Sequence, residues 1–231
     1  MKDLYYIMMF NHLGNAKYCK KLIKNKHVMV NGKTCLDSHY QVQFDDDITV
    51  DYQKIKAQPF TYIMLNKPKG YICARYDQKY PCVNDLIDQK DCYCLGRLDK
   101  DTTGLLIMSD DPTLSKRLLL PQNHVSKKYF VTTQYPMNHQ YIEAFKKGII
   151  IDQNTLCLPS QLEIIDDYHG YVTLQEGKYH QIKKMFLSCQ NEVVDLKRIS
   201  FGQIQLDQQL KIGTYRYLTE NEIKLLIKNR E

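Results

Sequence analysis

The sequence predicts an α+β protein with a mixed, mainly antiparallel sheet. Three observations lead to this fold class. Strand-like segments follow one another directly, and helical segments separate groups of strands instead of alternating with single strands. With 231 residues, of which 43% are apolar and 25% charged, the chain has the composition of a folded protein. The residue pattern changes after a polar segment ending at Pro59, which predicts a domain boundary there.

Residues 1–58 are expected to form a small helix-and-strand domain followed by a linker. Apolar residues first recur at helical spacing and then alternate with polar residues, which indicates a change from helices to strands. Asn31-Gly32, between two strand-like runs, is a strong signal for a tight hairpin turn. The predicted elements are helices at 4–13 and 17–25, short strands at 28–30 and 42–50, and a linker at 52–59.

Residues 59–231 are predicted to hold the main sheet. Short runs rich in β-branched and aromatic residues are typical of strands, and Pro112 suits the first turn of a helix. Strands are predicted at 62–65, 105–108, 128–133, 162–165, 171–175 and 193–199, and helices at 112–120, 138–147, 180–189 and 219–228.

Positive charge is concentrated at the N-terminus. Residues 1–33 contain seven lysines and one acidic residue, which accounts for the whole formal excess of +6. Such a cluster is typical of a contact with nucleic acid or an anionic membrane, although a solvated lysine face has the same composition. The apolar runs are too short to cross a bilayer, so no transmembrane helix is predicted.

The N-terminus carries no recognisable export signal, and the protein is therefore expected to be cytoplasmic. In that compartment the eight cysteines are expected to be reduced thiols. They form no CxxC pair, and Cys92 and Cys94 have no companion histidine cluster, so no metal site is predicted.

The most informative segment is LGRLDKDTTGLLIMSDD at 95–111. It places Arg97 and Asp99 in a loop braced by a buried strand, a position where catalytic groups are often found. Taken alone, this pattern more often reflects an aspartate that caps a helix or forms a turn. The spacing of the segment therefore does not assign a function to Asp99 without further information.

The sequence resembles the RsuA-like branch of the pseudouridine synthases, a group that isomerises uridine in ribosomal RNA. The resemblance covers nearly the whole chain and rests on five blocks in the family order. These blocks are YIMLNKPKGYIC at 62–73, GRLD…TTGLL at 96–106, KYFV at 128–131, EGKYHQIKKMF at 176–186 and GTYRYLTENE at 213–222. The N-terminal segment resembles an S4-type RNA-binding domain, and VNGK at 30–33 is its best-matching piece.

The resemblance implies three catalytic residues. Asp99 takes the position of the family's catalytic aspartate, Tyr129 that of a tyrosine packed against the target uracil, and Lys183 that of the aspartate's basic partner. A nearby ammonium would favour the charged form of Asp99, which can then act as a nucleophile or a base. From its pattern alone, Tyr129 is more simply a core residue of its strand. His180, although close to Lys183 in the chain, is not expected to be catalytic.

Arg97 and five lysines are predicted to bind RNA. Arg97 is expected to occupy the space vacated by a flipped base and to contact phosphate, and the alternative is a structural salt bridge. The predicted RNA-binding lysines are Lys17, Lys20, Lys21, Lys24 and Lys33. The segment departs from the S4 pattern at two places. Lys2 and Asp3 stand where arginine, leucine and aspartate are usual, and Lys17 stands where arginine is usual. The chain as a whole has 26 lysines but only six arginines.

The resemblance implies isomerisation of a specific uridine in 16S ribosomal RNA by base flipping and an aspartate-dependent mechanism. No cofactor or metal is expected, because the reaction breaks and re-forms a sugar–base bond without redox change or group transfer. The predicted partner is ribosomal RNA or a partly assembled small subunit, bound by a monomer. Two alternatives stay open, a 23S ribosomal RNA site and a non-catalytic assembly factor that binds ribosomal RNA.

Overall fold

A computed structural model describes residues 2–120 and 124–228 of the chain. The chain divides between Phe60 and Thr61 into two compact units. The first unit contains β1 (Lys2–Asp3), α1 (Leu4–Phe10), α2 (Ala16–Lys24), β2 (Val28–Val30), β3 (Lys33–Thr34), β4 (Gln41–Val42), β5 (Ile48–Val50) and β6 (Gln53–Ile55).

The first unit packs its two helices against a four-stranded antiparallel sheet of order β3-β2-β5-β6. The predicted turn at Asn31-Gly32 is confirmed, because both residues have positive φ and β2 pairs with β3 directly across them. The first helix is shorter than predicted. It ends at Phe10 because His12 adopts a left-handed conformation with φ of 60°, which a helix cannot contain.

The second unit begins with β7 (Tyr62–Lys67), a 3₁₀ helix (Val83–Leu86), β8 (Tyr93–Leu95), β9 (Thr103–Ser109), α3 (Leu114–Leu119), β10 (Lys127–Thr133) and α4 (His139–Lys147). It continues with β11 (Ile150–Ile151), β12 (Thr155–Leu156), β13 (Gln161–Ile164), β14 (His169–Leu174), α5 (Gln181–Ser188), β15 (Val193–Phe201), β16 (Ile204–Gln205), β17 (Tyr215–Tyr217) and α6 (Glu220–Lys228).

Nine of these strands form one mixed sheet, and the predicted α+β class with a mainly antiparallel sheet is confirmed. The path through the sheet is β13-β14-β10-β15-β9-β7-β17, with β16 paired to β15 and β8 paired to β9. Among the described residues of this sheet, all pairings are antiparallel except that of β15 with β9. Side chains from one face of the sheet share a core with α4 and α5.

The parallel pair determines where polar groups can collect. Residues Lys197 and Thr103 lie opposite each other in β15 and β9. Because the two strands run in the same direction, the loop that enters β9 lies beside the first half of β15. Helix α5 immediately precedes β15 in the chain. Its residues and the loop at 96–102 therefore lie near the same end of these two central strands.

Candidate active site

The loop that carries Asp99 joins β8 to β9 and is fixed from both sides. Leu98 is buried in the core, and its backbone N–H donates to Sγ of Cys73 at 3.2 Å. The N–H of Thr102 donates to the carbonyl oxygen of Asp99 at 3.1 Å. The Asp99 side chain is 27% exposed. A constrained backbone therefore presents an accessible carboxylate.

Lys67, the last residue of β7, holds this loop from inside. Its Nζ donates to the carbonyl oxygens of Asp99 at 3.0 Å, Lys100 at 3.2 Å and Thr102 at 2.9 Å, and also to that of Pro68 at 3.2 Å. The residue is completely buried. Burial lowers the pKa of the Lys67 ammonium, and nearby thiol and acidic groups partly oppose that shift. In the sequence this residue lies within the block at 62–73, and no role is predicted for it there.

The position directly after Thr102 and Thr103 requires a glycine, Gly104. Its φ is +96°, which L side chains rarely adopt. A Cβ atom at this position would lie 2.3 Å from the carbonyl oxygen of Arg198 in the parallel strand β15. Glycine therefore allows β9 to approach β15 closely at the point where the loop enters the sheet.

Helix α5 brings Lys183 to the Asp99 loop, as the sequence analysis expected. Its Nζ lies 3.9 Å from Oδ2 of Asp99. The shorter contacts of this ammonium are with Asp101, at 2.5 Å to Oδ1 and 2.6 Å to Oδ2. Burial raises the pKa of Asp101, but the hydrogen bonds and charge of Lys183 outweigh it, so the net shift is downward. Asp101 was not singled out from the sequence.

His180 also reaches Asp99, although the sequence analysis gave it no catalytic role. Its Nε2 lies 3.6 Å from Oδ1 of Asp99, whereas the Lys183 contact of 3.9 Å is with Oδ2. His180 occupies the N-cap position of α5 in a left-handed conformation with φ of 53°. Its place three residues before Lys183 was the available signal, because residues three apart at a helix start project to neighbouring positions.

Hydrogen bonds and an ion pair fix the turn that leads into α5. The Glu176 carboxylate accepts hydrogen bonds from the N–H of Leu158 at 2.8 Å and from Nε2 of Gln181 at 2.7 Å, and it forms an ion pair with Lys178. Oε1 of Gln181 accepts from the N–H of Lys178 at 2.9 Å. Burial raises the pKa of Glu176, but these partners together lower it below its usual value. The spacing of Glu176 and Gln181 in the sequence thus has a structural reason.

Tyr129 lies in β10, opposite Val172 of β14 and Arg198 of β15. The residue is 9% exposed and belongs to the main core cluster. The same cluster contains Leu98 and Ile182, the residues immediately before Asp99 and Lys183. Tyr129 is thus a largely buried residue in the core segment that underlies both charged side chains.

Arg97, two residues before Asp99, is exposed. Within residues 2–120 and 124–228, no hydrogen bond or salt bridge holds its guanidinium. The structural salt bridge considered as its alternative is therefore not formed with any described residue. The guanidinium is available to a ligand that approaches the Asp99 loop.

The predicted RNA-binding lysines are exposed, and four of them form a stripe on α2. This lysine stripe consists of Lys17, Lys20, Lys21 and Lys24. Residues three, four and seven apart share one face of a helix, and the buried side chains Cys19 and Ile23 lie on the opposite face. No carboxylate among the described residues forms a salt bridge with the stripe. Lys33 is exposed at the start of β3.

Two thiols lie beneath the Asp99 loop. All eight cysteines are free, and Cys73 and Cys94 share a hydrogen bond. This bond, together with the N–H of Leu98, lowers the pKa of Cys73 despite its burial. The same bond and burial raise the pKa of Cys94. Cys73 is therefore the more acidic of the two thiols, and its Sγ accepts the hydrogen bond from the loop.

Two family models match the chain. The model described as RNA pseudouridylate synthase matches residues 61–188, and the S4 domain model matches residues 12–48. The first match contains the Asp99 loop, Tyr129 and α5, and the second contains the lysine stripe. The fold and the matched segments define an RNA-modifying enzyme with an accessory RNA-binding domain.

Relatives match over most of their length. Ribosomal small subunit pseudouridine synthase A of Haemophilus influenzae is 37% identical over 213 residues, 90% of this chain and 92% of the relative. The protein of the same name from Escherichia coli is 37% identical over 210 residues, 89% and 91% of the two chains. An uncharacterised RNA pseudouridine synthase of Bacillus subtilis is 37% identical over 222 residues, 92% and 93% of the two chains.

A solved structure described as a pseudouridylate synthase superposes with a TM-score of 0.70 at 34% identity, covering 98% of this chain and all of the other. The chain belongs to the RNA pseudouridylate synthase family, and it carries an S4 domain at its N-terminal end. The family and the enzyme class predicted from the five motifs are thereby confirmed.

Among residues 2–120 and 124–228, no three His, Cys, Asp or Glu side chains are grouped so that they could hold a metal ion. None of the helices in this part of the chain is both long and apolar enough to span a bilayer.

Proposed function

We propose that this protein isomerises a uridine of the small-subunit (16S) ribosomal RNA to pseudouridine, and that Asp99 carries the chemistry. The observation that supports this most directly is the surroundings of the Asp99 carboxylate. One oxygen lies 3.9 Å from the Lys183 ammonium and the other 3.6 Å from the His180 ring. The names of the relatives from Haemophilus influenzae and Escherichia coli favour the small subunit over the large one.

The reaction needs a reactive carboxylate and a nucleotide removed from its stack. The bond from N1 of uracil to C1′ breaks, the base turns over, C5 bonds to C1′, and the proton of C5 is lost while N1 gains one. Atoms and electrons balance within the nucleotide, so no co-reactant is required. The Asp99 carboxylate acts on the ribose or the uracil ring, and the base must first leave the stack to reach it.

Neighbouring residues supply the remaining roles in this proposal. Lys183 places a positive charge beside Asp99 and so favours the anionic form of its carboxylate. Tyr129 offers an aromatic face to the flipped uracil and a hydroxyl for the proton shift at C5. Arg97, which is exposed and held by no described residue, contacts the backbone of the RNA and fills the space that the base leaves.

The domain comprising residues 1–58 docks on the RNA, and the domain comprising residues 59–231 performs the reaction. The lysine stripe on α2, with Lys33, supplies the phosphate contacts. We further propose that the enzyme acts as a monomer in the cytoplasm on ribosomal RNA or a partly assembled small subunit, without a cofactor. Light scattering of the purified protein, alone and with RNA, tests the monomeric state.

The first experiment incubates the protein with 16S and 23S transcripts and maps pseudouridine chemically. We expect one modified position in 16S RNA. Asp99→Asn should abolish the modification and leave RNA affinity nearly unchanged, because the amide keeps the size of the side chain. Asp91→Asn is the matched control, since its exposed carboxylate forms only a long contact of 3.4 Å with Arg75. Modification of 23S RNA alone, or an active Asp99→Asn variant, would contradict the proposal.

The second experiment measures the salt dependence of RNA binding. Changing the four lysines of the stripe to glutamine should weaken binding and reduce the slope of log K against log salt by about 3, because each phosphate contact contributes about 0.7–0.9. The control changes Lys146 and Lys147, at the end of α4, to glutamine. An unchanged slope in the fourfold variant would mean that the stripe is a solvated face.

A further inference from the structure

Tyr179 is an exposed aromatic residue next to the candidate active site. Its ring stacks on that of His180, with the ring centroids 3.9 Å apart and the planes inclined by 18°. His180 lies 3.6 Å from the carboxylate of Asp99. The imidazole ring therefore contacts both the carboxylate and the phenol ring. Tyr179 itself is 74% exposed, so burial in the core does not explain a large aromatic side chain at this position.

The turn that carries the two rings is held in place before any ligand arrives. Glu176 and Gln181 bracket it through the hydrogen bonds described above. The backbone of His180 is left-handed at the N-cap position of α5. The Lys184 ammonium lies 5.1 Å from the centre of the Tyr179 ring. A surface ordered in this way loses little conformational entropy when a flat ligand stacks on it.

The stacked rings of Tyr179 and His180 form an aromatic platform. The position of this platform determines which base it can receive. The His180 ring contacts both Asp99 and Tyr179, so the Tyr179 ring lies within one side chain of the carboxylate and offers its exposed face beside the position of the reacting base. A nucleotide next to the target in the chain matches this position. Exposed aromatic rings are sequence-tolerant stacking surfaces for single-stranded RNA.

We propose that Tyr179, supported by His180, stacks on the base that flanks the flipped uridine. This assignment rests on the proposed function, because it places the RNA strand across the Asp99 loop. Tyr179 acts here as a binding residue, and His180 positions both the Tyr179 ring and one oxygen of Asp99. The platform holds the neighbouring nucleotide and thereby fixes the strand from which the uridine is removed.

The test combines variants of the protein with abasic positions in the RNA. Fragments tiled along 16S and 23S transcripts are ranked by affinity for the full-length protein, and the tightest fragment is rebuilt with one abasic nucleotide at a time. Dissociation constants are measured for Asp99→Asn, which prevents turnover, and for Asp99→Asn with Tyr179→Ala, Tyr179→Phe or Tyr168→Ala. Tyr168 is the matched control, because it lies in a hairpin whose acidic residues Asp166 and Asp167 repel phosphate.

We expect Tyr179→Ala to raise the dissociation constant by about 5- to 100-fold, the loss of one base–aromatic stack, whereas Tyr179→Phe and Tyr168→Ala change it little. One abasic position should cost the same factor with the Tyr179 ring present and nothing with Tyr179→Ala. If no position shows this coupling, or if the affinity loss is the same at every position, the stacking role is refuted. Pseudouridine formation by the unsubstituted protein is scored separately, so a failure of the proposed function is distinguishable from a failure of the platform.

Discussion

Replacing Lys67 by methionine tests whether the buried ammonium holds the Asp99 loop. Methionine keeps the length of the apolar stem and removes the four donated hydrogen bonds, which measure 2.9 to 3.2 Å. Each buried carbonyl left without a donor costs about 1–3 kcal/mol, and the cost is smaller at Asp99 and Lys100, whose carbonyl oxygens keep the N–H donors of Thr102 and Gly70. Removing a buried ammonium also relieves a desolvation penalty of several kcal/mol. We therefore expect the free energy of unfolding to fall by about 3 kcal/mol.

The same substitution should affect the reaction more than RNA binding. Two of the four acceptors are the carbonyl oxygens of Asp99 and Lys100, so their release lets the catalytic backbone move. A displacement of about 1 Å can reduce a rate by about 100-fold. Urea unfolding measures the stability, and single-turnover pseudouridine formation at saturating RNA measures the reaction.

Lys69→Met is the matched control for Lys67→Met. Lys69 lies two residues farther along the same turn, is 55% exposed and pairs with Asp195 at 2.7 Å. An exposed pair of this kind contributes at most about 1 kcal/mol. If Lys67→Met unfolds at the same urea concentration as the unsubstituted protein and reacts at the same rate, the buried ammonium does not hold the loop.

Three further substitutions have defined outcomes. Gly104→Ala should lower the free energy of unfolding by about 3 kcal/mol or more, because its Cβ would meet backbone at 2.3 Å and its φ is positive. Hydrogen bonds from Arg216 lower the pKa of Glu222, so this pair stabilises the fold above the usual pKa of 4.5 and is lost as the pH falls through the folded pKa. Glu222→Gln should be about 1–2 kcal/mol less stable at pH 7, and the difference should shrink as the pH falls below 4.5. Asp101→Asn should slow isomerisation by about fivefold, far less than Asp99→Asn.

Each of these substitutions has a control or a contradicting result. Gly177→Ala should leave stability nearly unchanged, because a Cβ there has no heavy atom within 4 Å. A constant stability difference between the Glu222 variant and the unsubstituted protein from pH 3 to pH 7 would show that the ion pair contributes nothing. An inactive Asp101→Asn protein with normal stability would mean that Asp101, and not Asp99, carries the chemistry.

Local sequence signals predicted the elements that have strong local causes. Asn31-Gly32 specified its hairpin because both residues accept positive φ, and the buried alternation of β10 identified a strand within one residue of its observed start. The strand at Tyr215–Tyr217 was missed. It has only three partly exposed residues, and it pairs with Ile63–Leu65 some 150 residues earlier, so nothing in its own sequence distinguishes it from a loop.

The candidate site could be predicted only where family motifs identify its side chains. Asp99 and Lys183 are 84 positions apart in the sequence, and the motifs predicted that they would meet. Lys67 could not be distinguished from Lys69, because the turn NKPKG does not reveal which ammonium is buried beneath a loop more than 30 residues away. Roles that depend on backbone carbonyls from another segment leave no pattern in the sequence that contains the donor.

The position of Lys183 between two carboxylates gives a physical reason for a lysine at this site. When Asp99 attacks the ribose or accepts a proton, its carboxylate loses its negative charge, and a neighbouring cation would lose its partner. Lys183 already has a second partner in Asp101, at 2.5 and 2.6 Å. An ammonium has three rotatable donors and can serve both carboxylates in turn, whereas the rigid fork of an arginine favours one bidentate pairing. The Lys183 side chain is 23% exposed, so water partly replaces the Asp101 carboxylate when Asp101 is changed to asparagine. The activation free energy should therefore rise by only about 1 kcal/mol, the contribution of an accessible ion pair.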